Sequence, residues 1–186
     1  TIFLGFSYAV VELHGSVERR RVAERERYER EIRIAQEVQA LLFPSVLPRL
    51  KTLEYTAVCR PARGVAGDYY DFFRVNGGKV GFVVADVSGK GISAALLMAR
   101  LQGLMRSHAS LYGTRVADFI AELNRTMFLG PGSSRYVTLF YGVYDDATGE
   151  LVYVNAGHNP PFLWRAGDRS LTVLSSGGTV VGLLPD

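Results

Sequence analysis

Apolar and polar positions along the chain switch between helical and strand-like spacing, and the switches mark out the elements. Glu18–Leu42 contains no Gly or Pro and is rich in Glu, Arg, Ala and Gln, all good helix formers. Its apolar residues are sparse at first (Val22, Tyr28) and then thicken through Ile32, Ile34, Ala35, Val38, Leu41 and Leu42, before Pro44 and Pro48 end the helix. Leu53–Arg60 reads as a strand. Tyr69–Val75 and Lys79–Asp86 are aromatic and β-branched runs joined by Asn76-Gly77-Gly78, which predicts a hairpin. Ile92–Tyr112 predicts an apolar helix. Val116, Phe119, Ile120, Leu123 and Met127 fall on one face of a second helix, stopped by Gly130-Pro131-Gly132. Tyr136–Tyr144 and Glu150–Asn155 flank Asp145–Gly149 as a second hairpin, and Pro161–Arg165 and Leu171–Leu174 are two shorter strands. Strands, two helices, then strands again predict an α+β fold with mostly antiparallel sheets.

Charge is unevenly placed. The 186 residues carry 21 Lys+Arg against 18 Asp+Glu, a net +3. Val17–Arg33 alone holds seven Arg and five Glu, so the rest is about neutral. A nucleic-acid-binding domain would show a basic surface throughout, so no nucleic-acid partner is expected. Glu26–Arg30 and Glu29–Arg33 are i,i+4 pairs in the favourable order. The segment reads either as a solvated connector or as a coiled-coil linker that forms a homodimer, although its heptads are imperfect. Thr1–Leu13 is nearly all apolar but shorter than the roughly 20 residues a bilayer span needs. It reads either as the end of a preceding soluble element or as the end of a membrane helix with Arg19–Arg21 on the cytoplasmic side. With one cysteine, Cys59, the chain has no internal disulfide, which fits a cytoplasmic setting with or without a membrane tether.

The first hairpin places chemistry. With a three-residue turn, Val75 faces Lys79, and continuing that register puts Asp68 directly across from Asp86. Opposed residues have Cβ atoms about 4.5–5.5 Å apart. Two carboxylates this close repel, so the pair calls for a proton or a cation. Oxygen donors without His or Cys suit a hard ion such as Mg²⁺ or Mn²⁺. The plainer alternative is two solvated aspartates at strand ends. Asp68 follows the small residues Gly64-Val65-Ala66-Gly67, and Asp86 leads through Val87-Ser88-Gly89-Lys90-Gly91 into a helix N-terminus, a setting suited to anions. The P-loop spacing is absent, the three histidines lie too far apart for a local zinc motif, and no Gly-x-Ser-x-Gly elbow accompanies a nearby His. Asp71 falls on the opposite strand face from Asp68 and reads as a structural hydrogen-bonding group.

The segments RPARGVAGDYYDFF, ADVSGKGISAALLMA, YVTLFYGVYDDATGELVYVNAGHNPPFL and GGTVVGLLPD occur in that order. Together they resemble the SpoIIE/RsbU-like branch of the PPM (PP2C-like) metal-dependent serine/threonine phosphatases, over roughly Ala35–Asp186. The resemblance implies an αββα sandwich of two mostly antiparallel sheets flanked by helices. It implies two divalent cations, Mn²⁺ or Mg²⁺, with Asp68 as a ligand, Asp86 bridging the ions, and the Val87 backbone carbonyl coordinating. Arg63 matches an arginine implicated in holding phosphate, and Ser88, Lys90 and His158 are weaker phosphate or substrate candidates, His158 reading more readily as structural.

The implied activity is hydrolysis of phosphoserine or phosphothreonine on a signalling protein, an anti-sigma-factor antagonist being the expected class. The implied organisation is residues 1–15 as the end of an upstream membrane or sensor segment, 16–43 as a signalling helix coupled to that sensor in cis, and 44–186 as a partial phosphatase domain. Ala66 stands where the family has Gly, Gly64 where Glu is common, and Lys90 where His is frequent. The family's Thr-Asp-Gly segment and final aspartate would follow Asp186. Without them the alternative is a non-catalytic, phosphatase-like interaction module.

Overall fold

The computed structural model describes residues 2–61, 64–130, 135–165 and 167–185, with side chains of the first helix described for Glu12 and from His14 onward. The chain divides into two compact units, residues 1–38 and 39–186.

The first unit is helix α1, which runs Ile2–Ala40 and ends in the second unit. It begins well upstream of the expected Glu18, so the apolar N-terminal stretch belongs to the same helix. No described helix is long and apolar enough to cross a membrane. Its charges pair along the surface: Arg25 with Glu29 at 2.9 Å, Arg27 with Glu31 at 3.0 Å, and Glu26 with Arg30 at 3.9 Å. Glu29 thus pairs with Arg25, not with Arg33. Exposed pairs of this kind contribute only a few tenths of a kcal/mol each (about 0.3–0.5).

The second unit is an α+β fold. Strands β1 (Tyr69–Val75), β2 (Lys79–Val87), β3 (Val137–Asp145), β4 (Glu150–Ala156) and β7 (Gly177–Gly178) form a mixed sheet in the order β1-β2-β3-β4-β7. The first four are antiparallel, and the two-residue β7 joins β4 in parallel. β5 (Phe162–Arg165) and β6 (Ser170–Val173) make a separate antiparallel pair. Helices α2 (Ile92–Tyr112) and α3 (Val116–Phe128) follow the predicted spans, and α3 buries Val116, Phe119, Ile120, Leu123 and Met127 as its spacing requires. Pro131 and Gly132, expected to stop α3, lie outside the described residues; Gly130 follows Leu129, whose N–H caps the Arg125 carbonyl.

One face of the large sheet supplies Tyr69, Val83, Ala85, Leu139, Tyr141 and Val143 to the core shared with α2 and α3. The other carries a row of rings: Tyr70, Phe72, Phe82, Phe140 and Tyr153, with neighbouring centroids 5.2–6.4 Å apart. The expected strand Leu53–Arg60 forms no ladder. It does alternate, with Tyr55, Ala57 and Cys59 half-buried and Glu54, Thr56, Val58 and Arg60 exposed. Its side chains lie over the ring face (Tyr55 meets Phe72 at 4.6 Å), so it touches the sheet by side chains and finds no strand edge to bond. Strand-like periodicity records which face is covered; pairing needs a neighbour as well.

Asp71 is fully buried on the helix side of β1, as its register predicts. Arg106 of α2 grips it with two bonds of 2.7 Å, the Tyr69 hydroxyl donates at 2.8 Å, and the Phe72 N–H at 2.8 Å. A buried carboxylate is tolerated only when paired and hydrogen-bonded. Arg106→Ala should therefore destabilise the fold by about 3 kcal/mol, the lower end for breaking a buried pair because Arg106 is itself half in solvent; denaturant titration measures it. The Tyr141 hydroxyl is buried with no partner among the described residues. Tyr141→Phe should be neutral or stabilising by up to about 1 kcal/mol in the same titration.

Candidate active site

The β1–β2 hairpin closes through Asn76-Gly77-Gly78, a single turn in which both glycines adopt positive φ (78° and 77°). Val75 pairs with Lys79, and the ladder continues to Tyr69 opposite Ala85. Asp68 directly precedes that last pair and Asp86 directly follows it, and their side chains share a hydrogen bond. Asp86 in turn faces Thr138 on β3.

Burial raises the Asp86 carboxyl above its ordinary value, and the Asp68 charge and a hydrogen bond between the two side chains raise it further; His158 pulls it back down. Burial lowers the His158 imidazole, while Asp86 and Asp68 oppose that shift. The three groups therefore feel one another. The imidazole is fixed by its setting: Nδ1 shares a 2.9 Å hydrogen bond with the Thr138 hydroxyl. Its backbone N–H donates to Asn155 Oδ1 at 2.8 Å, and the Asn155 amide donates to the His158 carbonyl at 3.0 Å. The buried Asn155 thus closes the Asn155–His158 loop on itself.

Two clefts meet at Asp68. One, of about 290 Å³, is lined by Gly67, Asp68, Asp86, Gly89, Lys90 and Gly91. The other, of about 380 Å³, runs between Ala57–Arg60 and the sheet and reaches His158. Gly67 packs against the Val87 carbonyl: a Cβ there would sit 3.1 Å from that oxygen and 3.3 Å from the Ala94 methyl. The absence of a side chain lets the Gly67–Asp68 backbone lie beside the Asp86–Val87 strand end.

The candidates named from sequence separate as follows. Asp68, Asp86 and Lys90 line one cleft, the Val87 carbonyl lies against its Gly67 wall, and His158 stands in the adjoining cleft with Asp68. Ser88 is bound from outside, since its Oγ accepts the Tyr136 N–H at 2.9 Å and its own N–H donates to the Tyr136 carbonyl at 2.9 Å. Arg63 lies outside the described residues. Among the described residues no group of three or more His, Cys, Asp or Glu is poised to hold a metal ion. The donors present are two facing carboxylates and a backbone carbonyl, a hard oxygen set that suits Mg²⁺ or Mn²⁺.

Gln39, at the end of α1, was not singled out from sequence. Its buried amide makes a reciprocal pair with Ala66: Nε2 donates to the Ala66 carbonyl at 2.8 Å, and the Ala66 N–H donates to Oε1 at 2.8 Å. This ties the helix end to the backbone two residues before Asp68. A glutamine between Val38 and the apolar Leu41 and Leu42 was the available signal.

Comparison with known proteins identifies the family. The family described as Stage II sporulation protein E (SpoIIE) matches residues 76–186. The phosphoserine phosphatase RsbU of Bacillus subtilis (strain 168) is 33% identical over 156 residues, covering 84% of this chain and 46% of that protein. The phosphoserine phosphatase RsbP of the same organism is 28% identical over 163 residues, covering 84% and 39%. Protein IcfG of Synechocystis is 29% identical over 184 residues, covering 84% and 28%. The chain thus spans less than half the length of these relatives. Among solved structures, that of the RsbU and RsbW domains of a Mycobacterium tuberculosis protein superposes with a TM-score of 0.55 at 32% identity, covering 70% of this chain and 34% of the other. The family match takes in well over half of the chain, from Asn76 onward, and the chain belongs to the SpoIIE family.

Proposed function

We propose that this chain carries the catalytic region of a metal-dependent protein phosphatase acting on phosphoserine or phosphothreonine. The observation that carries the reading is the facing pair Asp68 and Asp86, held by the hairpin register at a cleft walled by glycines. Two relatives are named phosphoserine phosphatases, which supports it.

In this reading the Asp68 and Asp86 carboxylates and the Val87 carbonyl hold divalent cations, Mn²⁺ or Mg²⁺. The chemistry such ions supply is Lewis-acid polarisation of a phosphoryl group and acidification of water. The remaining roles belong to the chain. Lys90, exposed on the cleft wall, offers a cation to the phosphate, and Arg63 does the same by family resemblance. The Gly89–Gly91 turn brings the bare backbone and the N-terminus of α2 to the cleft, where anions are favoured. His158 borders the second cleft, where it offers a substrate contact. The substrate is a signalling protein of the anti-sigma-factor-antagonist class, and residues 16–43 relay a signal from an upstream sensor through Gln39 to Ala66.

A second reading, a non-catalytic interaction module, draws on the finding that no third carboxylate joins the pair among the described residues.

Phosphate release from a phosphoserine protein, measured with and without Mn²⁺, separates the two. The enzyme reading expects Mn²⁺-dependent release that falls about a hundredfold or more in Asp86→Asn. Equal rates in both proteins would sink the metal-site assignment, and no release from either would favour the module.

The aspartate pair also predicts a stability effect. In metal-free protein the Asp86 carboxyl titrates above its unfolded value. Its protonated form is the one the fold favours, so its contribution is fully present in acid and is lost as pH rises through the folded pKa. At neutral pH the two charges then oppose the fold. In EDTA, Asp86→Asn should melt about 1–3 °C above wild type at pH 7, and the gap should close below about pH 4.

A further inference from the structure

Ser88 follows the Asp86–Val87 strand end, and all three of its polar backbone and side-chain groups are taken by the two residues just before β3. Its N–H and Oγ bond Tyr136, and its carbonyl accepts a hydrogen bond of 3.2 Å from Arg135 Nη1. The same guanidinium lies over Gly89: a Cβ on Gly89 would sit 2.1 Å from Nη1 and 3.3 Å from Cζ. Gly89 has φ +105°, a conformation L side chains rarely adopt, and it lines the aspartate cleft. Among the described residues Arg135 has no carboxylate partner, and its guanidinium bonds the turn instead.

We propose that Arg135 is a positioning residue for the metal centre: it fixes the Ser88–Gly89 peptide from outside the cleft, and through that peptide the Val87 carbonyl and the Asp86 carboxylate. The inference rests on the reading of Asp68, Asp86 and Val87 as cation-binding groups. Three features support it. A charged donor on a carbonyl gives a stronger bond than a neutral one, so this contact restrains the peptide more than a serine or amide would. The planar guanidinium occupies the place a Gly89 side chain would take, and it is not among the residues that line the cleft. The next residues of the chain, Tyr136 and Val137 (the first of β3), bond Ser88 N–H and pair with Val87, so strap and strand end form one continuous unit. Arg135 does not line the cleft and does not touch substrate; it acts through the turn.

The test is the affinity of the full chain for Mn²⁺ alone, read by the electron paramagnetic resonance signal of free Mn²⁺, with a thermal melt of each protein in EDTA. Arg135→Ala is expected to bind Mn²⁺ about tenfold more weakly, with a melting temperature within about 2 °C of wild type. Arg135→Lys, which keeps one charged donor for the Ser88 carbonyl, is expected to recover most of the loss. Unchanged affinity in Arg135→Ala overturns the proposal. So does a loss that Arg135→Lys does not repair, or one accompanied by a matching fall in melting temperature, since either marks a merely structural residue. If Arg135→Ala does not fold, Arg135→Gln takes its place in the same comparison. Asp86→Asn serves as the control. If it binds Mn²⁺ like wild type, the metal-site reading itself fails. If it loses Mn²⁺ while Arg135→Ala does not, only the role of Arg135 fails.

Discussion

The register of one hairpin governs the candidate site. Because side chains alternate along a strand, a slip of one residue between β1 and β2 would carry Asp68 and Asp86 out of opposition and turn Asp71 out of its buried pocket. The Asn76-Gly77-Gly78 turn, with two positive-φ glycines, selects the register, and the buried faces enforce it. The Asp71–Arg106 grip enforces it again, since it is satisfied only when Asp71 points toward α2. Two carboxylates seven ladder positions from the turn are thus set side by side by geometry that neither of them stabilises.

That opposition has to be held against mutual repulsion, and the holding is done from behind. Gln39 secures the backbone ahead of Asp68, Arg106 anchors β1, and Tyr136 with Arg135 secures the turn after Asp86. Each tie comes from a different part of the chain and each ends within three residues of one of the pair. The cleft itself is lined by glycines, small apolar residues, the two carboxylates and one lysine. A site arranged this way can keep its donors close together and still leave them open to solvent.

Much of this was legible in the sequence, and the limits have physical causes. The hairpin register followed from turn length alone, and α3 from its apolar spacing, because both are local. Leu53–Arg60 shows strand periodicity yet stands unpaired, since alternation reports burial of one face and says nothing about a neighbouring edge. The parallel β7, only Gly177 and Gly178, carries no apolar pattern at all; its place is set by the Asn155 backbone it meets. Gln39 and Arg135 escaped because each acts across 27 and 47 positions of chain on partners with no motif of their own. Ser88 and Lys90 are neighbours in one motif, but Ser88 is turned onto Tyr136 while Lys90 stays at the cleft.

The small β5–β6 pair sets Phe162, Trp164, Leu171 and Val173 on one face, and all four are well exposed, Trp164 by 56%. Trp164 is the sole tryptophan of the chain. The intrinsic fluorescence of the protein therefore comes with a built-in address: its emission wavelength reports the wetness of that hairpin face, and quenching by iodide or acrylamide reports access to it. Anything that settles on the hairpin leaves an optical trace with no label attached.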